Sequence, residues 1–60
     1  GTQYIRKAAN KGLPVAEYAL GMSYLNGIGV AANTPEAKKW LQKAANHGDA
    51  NAKEMLTKLK

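Results

Sequence analysis

Residues Ile5-Arg-Lys-Ala-Ala-Asn-Lys-Gly12 return 36 positions later as Leu41-Gln-Lys-Ala-Ala-Asn-His-Gly48. Carried forward, the same offset pairs Ala16 with Ala52 and Leu20 with Leu56; carried back, it pairs Tyr4 with Trp40. Seven of the sixteen pairs between Ile5–Leu20 and Leu41–Leu56 are identical, which is enough to set the register of the repeat. A period of this size belongs to stacked arrays, in which one unit cannot bury its apolar face without its neighbours. Whatever this unit is, it must be able to pack against a version of itself.

Each unit divides into two helices. The first helix runs from Thr2 to Asn10 and stops at Gly12, a residue suited to the left-handed conformation that ends many helices. Pro14 fits the start of the second, where its missing N–H costs nothing, and that helix reaches about Asn26. Asn33 and Thr34 are both good N-caps for the third, which has Pro35 and Glu36 in its first turn and ends at His47-Gly48. Asp49 caps a fourth that reaches the C-terminal lysines. No segment alternates apolar and polar residues, so no strand is expected. The fold class is therefore all-α: antiparallel helix pairs stacked as a short right-handed α-solenoid of about four helices.

Spacing also places the core. On the third helix Ala37, Trp40, Leu41, Ala44 and Ala45 form one stripe, and on the fourth Ala52, Met55, Leu56 and Leu59 form another. Small alanines allow close helix approach, with Trp40 expected to fill most of the remaining volume. Its replacement by alanine would remove roughly 3–5 kcal/mol. Gly21 breaks the propensity rule, because glycine inside a helix costs about 1 kcal/mol relative to alanine. A crossing too tight for a side chain would explain it, so Gly21 is expected to face a neighbouring helix.

Composition removes several kinds of chemistry. A chain of 60 residues is one small domain at most. It has no cysteine, one histidine (His47) and four acidic residues, which leaves no disulfide, no thiolate ligand and no conventional zinc site. No apolar run is long enough to insert in a membrane. The net charge of +5 raises nucleic acid as a partner, but the basic residues are scattered and only Arg6 is an arginine. A solvated lysine surface is the plainer account, although Lys39 and Lys43, four residues apart, could meet an acidic partner. Glu17, Glu36, Asp49 and Glu54 show no spacing that pairs two carboxylates on one helix face. His47 stands near a helix C-terminus, where a donor serves free carbonyls. No catalytic residue, metal ligand, cofactor or small-molecule substrate is expected.

Gly27-Ile28-Gly29 invites comparison with a phosphate cradle. Such loops follow a strand and lead straight into a helix, whereas these glycines follow a helix, and Val30 to Asn33 intervene before the next. They are expected to supply a chain reversal, with Ile28 or Val30 tucked beneath it as an apolar plug.

The pattern Ala16-x-x-x-Leu20-Gly21-x-x-Tyr24-x-x-Gly27-x-Gly29-Val30, followed by Asn33-x-x-x-Ala37-x-x-Trp40-x-x-Lys43-Ala44-Ala45-x-x-Gly48-Asp49-Ala50-x-Ala52, resembles the Sel1-like repeat. This is a relative of the tetratricopeptide repeat. The resemblance makes residues 2–11 the second helix of a preceding repeat, 14–48 one full repeat, and 49–60 a terminal or capping helix, in a chain excerpted from a larger protein. Asn33 stands where the family usually has aspartate, and Leu41 where a second aromatic is common. Thr57 and Lys60 occupy the Gly21 and Tyr24 positions, which is why the last helix reads as a cap. The resemblance implies a scaffold or adaptor that binds a protein or peptide through its surface, with bacterial envelope proteins among the family's members. Some cysteine-rich members are linked to β-lactam chemistry, but this chain lacks cysteine, and Ser23 is followed by Asn26 where a Ser-x-x-Lys motif would need lysine.

The second helix offers a candidate partner surface. Ala16, Leu20 and Tyr24 form the face that the motif assigns to the core. Val15, Tyr18, Met22 and Leu25 form another, expected on the concave side, with Asn26, Asn51, Glu54 and Lys58 as polar contacts. Three accounts of this face stand together: a partner groove anchored by Tyr18 and Met22, burial by the fourth helix or by a repeat outside these residues, and self-association. The alternative function is a basic nucleic-acid-binding helical domain.

Overall fold

The computed structural model describes residues 2–59, and within them the chain is four helices joined by short turns. These are α1 (Thr2–Asn10), α2 (Pro14–Asn26), α3 (Thr34–Asn46) and α4 (Ala50–Lys58). There is no strand among the described residues. Consecutive helices pack on one another, with the broadest contact between α2 and α3. Lys60, expected at the Tyr24 position of the last helix, lies outside the described residues.

The helix boundaries follow from local chemistry. Pro14 opens α2, whose capping residue Leu13 offers no side-chain acceptor. Asn33 caps α3 by accepting the Glu36 backbone N–H on Oδ1 at 3.1 Å, and Asp49 does the same for the Ala52 N–H at 2.8 Å. Each satisfies a donor that the first turn would otherwise leave orphaned. The turns after α1 and α3 use Gly12 and Gly48 with φ of +83° and +98°.

At the end of α2 the two loop glycines both enter the left-handed region, Gly27 at φ +70° and Gly29 at φ +74°. The N–H groups of Gly27 and Ile28 both turn back to the Ser23 carbonyl. The Asn33 N–H then reaches the Tyr24 carbonyl at 2.8 Å, which closes the loop onto the last turn of α2. The reversal is as expected, but the plug is not Ile28, which is 63% exposed. Val30 is the residue half-buried here.

The centre of the core lies between α2 and α3. Leu20, Ala37, Leu41 and Ala44 are fully buried, and Leu20 and Leu41 are the largest apolar side chains excluded from water. Gly21 permits this packing: a Cβ built there would lie 2.8 Å from Leu41 Cγ and 3.2 Å from the Ala37 carbonyl oxygen. The glycine in the helix is thus a steric requirement, and the propensity cost of about 1 kcal/mol is met by burying a whole leucine against bare backbone. Trp40 corrects the expectation that it fills the core. It is only half-buried, and Leu41, the residue after it, takes the central position.

Candidate interaction surfaces

Glu17 holds the least expected place in the chain. It sits on the core face of α2, three, four and seven residues before Leu20, Gly21 and Tyr24, and only 2% of it is exposed. Its Oε1 lies 2.6 Å from Nδ1 of His47, at the C-terminal end of α3. A carboxylate can only accept, so the imidazole Nδ1–H donates to it. The ring also lies beside the turn between α1 and α2, with Cε1 3.8 Å from where a Gly12 Cβ would stand. His47 therefore clips the end of α3 to the start of α2: its backbone N–H serves the Lys43 and Ala44 carbonyls at the end of α3, while its side chain reaches Glu17 instead of those carbonyls. The helical spacing of Glu17 with Leu20, Gly21 and Tyr24 was the sequence signal for its burial. Its partner lies thirty residues away and left no local trace.

The other polar groups are engaged more simply. Ser23, buried, donates its hydroxyl to the Ala19 carbonyl one turn back. Glu36 stands in the first turn of α3, Asp49 caps α4, and Glu54 pairs with Lys58 at 3.2 Å on the exposed side of α4. The Lys43 ammonium lies 4.4 Å from the centre of the Trp40 ring, a cation–π contact. The Trp40 indole N–H is buried without a hydrogen-bond partner.

The eight residues singled out as a partner surface do not share one environment. Val15 is 75% exposed, and Asn26, Asn51, Glu54 and Lys58 are exposed as well. Tyr18, Met22 and Leu25 are half-buried. Tyr18 and Met22 pack against the cluster of Leu41, Ala44, Ala45 and Ala52, which α3 and α4 build together. As anchors for a partner they offer only the edges that this packing leaves open.

A second apolar surface was not foreseen. Between α1 and α2 lies an open groove of about 360 Å³, lined by Tyr4, Ile5 and Ala8 of α1, by Leu13 of the turn, and by Pro14, Val15, Ala16 and Ala19 of α2. Tyr4 is 80% exposed at its rim. The sequence signal was the pairing of Tyr4 with Trp40, which gives Tyr4 a position that is half-buried in the following unit.

Antiparallel helix pairs on a 36-residue period, joined by a left-handed Gly-x-Gly turn, define a helical-repeat protein. The chain belongs to the Sel1 repeat family, whose model matches residues 1–13 and 14–49. It is 45% identical over 56 residues to "Chitin synthase regulator SKT5" of Malassezia restricta, a match that covers 93% of this chain and 4% of the relative. It is 45% identical over 53 residues to "Chitin synthase regulatory factor 3" of Schizosaccharomyces pombe, covering 88% of this chain and 6% of that protein. To "Chitin synthase regulator SKT5" of Saccharomyces cerevisiae it is 44% identical over 50 residues, covering 83% and 7%. The chain thus spans a small fraction of the length of the relatives it matches. All three are fungal, which turns the reading away from the bacterial proteins that the resemblance alone suggested. No solved structure gives a significant match.

Proposed function

We propose that this chain is a non-catalytic protein-interaction module of a larger regulatory protein, of the kind its relatives' names describe, and that the parent protein acts on chitin synthase by assembly. Residues 14–48 form the complete repeat of the module, and α4 is its terminal cap. The observation that carries this reading is the likeness to chitin synthase regulators along nearly the whole chain. The side-chain chemistry agrees with it, since each of the four acids has a structural task in pairing or at a helix start.

The partner surface is the concave side carried by α2 and α4, with Leu25 and the open edges of Tyr18 and Met22 giving apolar contact. Asn26, Asn51, Glu54 and Lys58 give polar contact around them. A tyrosine and a methionine held by the core suit this use, because their ordering cost has already been met on folding.

The test is co-purification of chitin synthase with the intact parent protein in fungal cells, wild type against Asn26→Arg/Lys58→Glu. Both residues are exposed, so folding is expected to persist, and circular dichroism of the purified module checks it. Loss of the synthase from the purified complex is the expected result. A folded double variant that recovers chitin synthase as fully as wild type refutes this surface.

A further inference from the structure

The cations that are scattered along the sequence are gathered by the fold. α1 and α3 both pack on α2, and the His47 ring beside Gly12 brings their C-terminal ends together. The exposed stripe of α1 is Gln3, Arg6, Lys7 and Asn10, and that of α3 lies 36 residues further on as Lys39, Gln42, Lys43 and Asn46. Helices related by the repeat present such stripes to the same side. With Lys38 added, five of the nine lysines and arginines stand exposed on these two helices. α2 carries no cation, and on α4 Lys58 is already paired with Glu54. The acids lie elsewhere: Glu17 is buried, Asp49 caps α4, and on α1 and α3 there is only Glu36, half-buried in the first turn of α3. The other members of the two stripes are glutamine and asparagine, so no carboxylate neutralises them from within.

We propose that this α1–α3 face is a peripheral docking surface for a lipid bilayer that carries anionic headgroups. Charge complementarity is the argument. Basic clusters of about four to eight residues are the size that an anionic leaflet attracts, and five are held here on a common side. The charge of a leaflet is spread over a plane, so a cation need only reach that plane and no donor geometry is demanded of it. Lysine suits this, being a point charge on a flexible stem, and four of the five are lysine. The face is also open. None of the five lines the apolar groove between α1 and α2, and none is engaged with a carboxylate among the described residues.

Two other polyanions compete for such a face, and its chemistry disfavours both. An acidic protein segment would seek a central anchor of apolar or aromatic side chains, but the two stripes carry only charged and amide residues. Nucleic acid is read by arginine forks and by aromatic faces free to stack on bases. Arg6 is the one arginine in the chain. Trp40, the aromatic residue of α3, has the Lys43 ammonium 4.4 Å over its ring, and Tyr4 of α1 lines the groove instead.

The inference does not rest on the chitin synthase reading, and it uses other helices than the partner surface of α2 and α4, so either can fail alone. Its test is sedimentation of the 60-residue chain with vesicles of phosphatidylcholine, with and without phosphatidylserine. Binding is expected only where phosphatidylserine is present, and it should weaken steeply as salt is raised. Lys7→Gln/Lys39→Gln should lower the partition coefficient roughly 25-fold, at about fivefold for each cation lost from the surface. Lys53→Gln/Lys58→Gln removes the same net charge from α4 and should lower it far less. Circular dichroism checks that both pairs remain helical. The chain has no cysteine, so one can be introduced and labelled at will. A fluorophore at Gln42→Cys should be shielded from a water-soluble quencher on vesicles, and one at Asn51→Cys on α4 should stay accessible. Equal losses from the two lysine pairs overturn the proposal, as does equal shielding of the two labels or equal binding to phosphatidylcholine alone. Displacement of the chain from vesicles by polyglutamate at equal negative charge also overturns it, since that result would assign the face to an acidic protein segment.

Discussion

His47 Nδ1 lies 2.6 Å from Glu17 Oε1, yet the two side chains share the water unequally: the histidine is 48% exposed and the glutamate 2%. The energetic asymmetry follows from that difference. Removing the imidazole leaves a carboxylate buried without its donor, a cost of roughly 1–3 kcal/mol or more for a charged group. Removing the carboxylate leaves an imidazole that can turn to water. His47→Ala is therefore expected to destabilise the fold more than Glu17→Gln, whose amide oxygen can still accept the Nδ1–H. Urea unfolding of both variants checks the order. A Glu17→Leu/His47→Ala pair should lose less than His47→Ala alone, because it abolishes the stranded charge.

Gly21 and Leu41 supply the second prediction. Alanine at position 21 gains about 1 kcal/mol of helix propensity, but its Cβ would lie 2.8 Å from Leu41 Cγ and 3.2 Å from a backbone carbonyl oxygen that cannot swing away. Overpacking of this kind costs roughly 1–3 kcal/mol. Gly21→Ala should therefore be net destabilising in spite of propensity, and Gly21→Val more so. The decisive measurement is the double variant with Leu41→Ala, whose loss should fall short of the sum of the two single losses. Additive losses would mean that the close approach is not what excludes a side chain here.

These two contacts also show what could be read from the chain before its structure. The 36-residue repeat and the caps Asn33 and Asp49 are local or periodic signals, and they placed all four helices. Gly21 was legible because an unfavourable residue in a helix needs a steric cause. Trp40 has the size of a core residue without the depth of one, and size is the only part that a sequence displays. The stripe Ala37, Trp40, Leu41, Ala44 has two candidates for its centre, and only the three-dimensional position of Gly21 decides for Leu41. The pairing of Glu17 has no signature among the acids, because its partner is a histidine at the end of another helix. Tyr18 and Met22 could not be assigned from one helix, since whether an apolar face is covered depends on what α3 and α4 build opposite it.

Trp40 and Lys43 give a third prediction. Half-buried, with its ring face under the Lys43 ammonium at 4.4 Å, the tryptophan is a lid on the α3 face. Trp40→Ala should therefore cost less than the roughly 3–5 kcal/mol of a core tryptophan, and less than the about 2–5 kcal/mol expected for the fully buried Leu41. Lys43→Ala should cost about 0.5–1 kcal/mol, the scale of an exposed cation–π contact, and Lys43→Arg should retain it. Thermal unfolding followed by far-UV circular dichroism ranks all four without depending on the indole as a probe. Trp40→Ala proving more harmful than Leu41→Ala would return the tryptophan to the centre of the core.

The loop after α2 yields the last prediction, and it separates backbone strain from side-chain crowding. Gly27 sits at φ +70° and hands its N–H to the Ser23 carbonyl, so its conformation ends the helix and starts the reversal. A β-carbon there meets Ala32 Cβ at 3.3 Å, tight enough that the loop must yield slightly. The left-handed conformation itself costs an L-residue about 1–2 kcal/mol. Asparagine and alanine both add the β-carbon, but asparagine enters the left-handed region more readily. If backbone strain dominates, Gly27→Asn should retain most of the stability that Gly27→Ala loses, with the Asn33 N–H to Tyr24 carbonyl bond kept. If crowding against Ala32 dominates, the two variants should be equally destabilised. The φ value sets the expectation: Gly27→Ala should lose about 1–2 kcal/mol and Gly27→Asn clearly less. Urea midpoints, with hydrogen exchange at the Asn33 amide, read both outcomes directly.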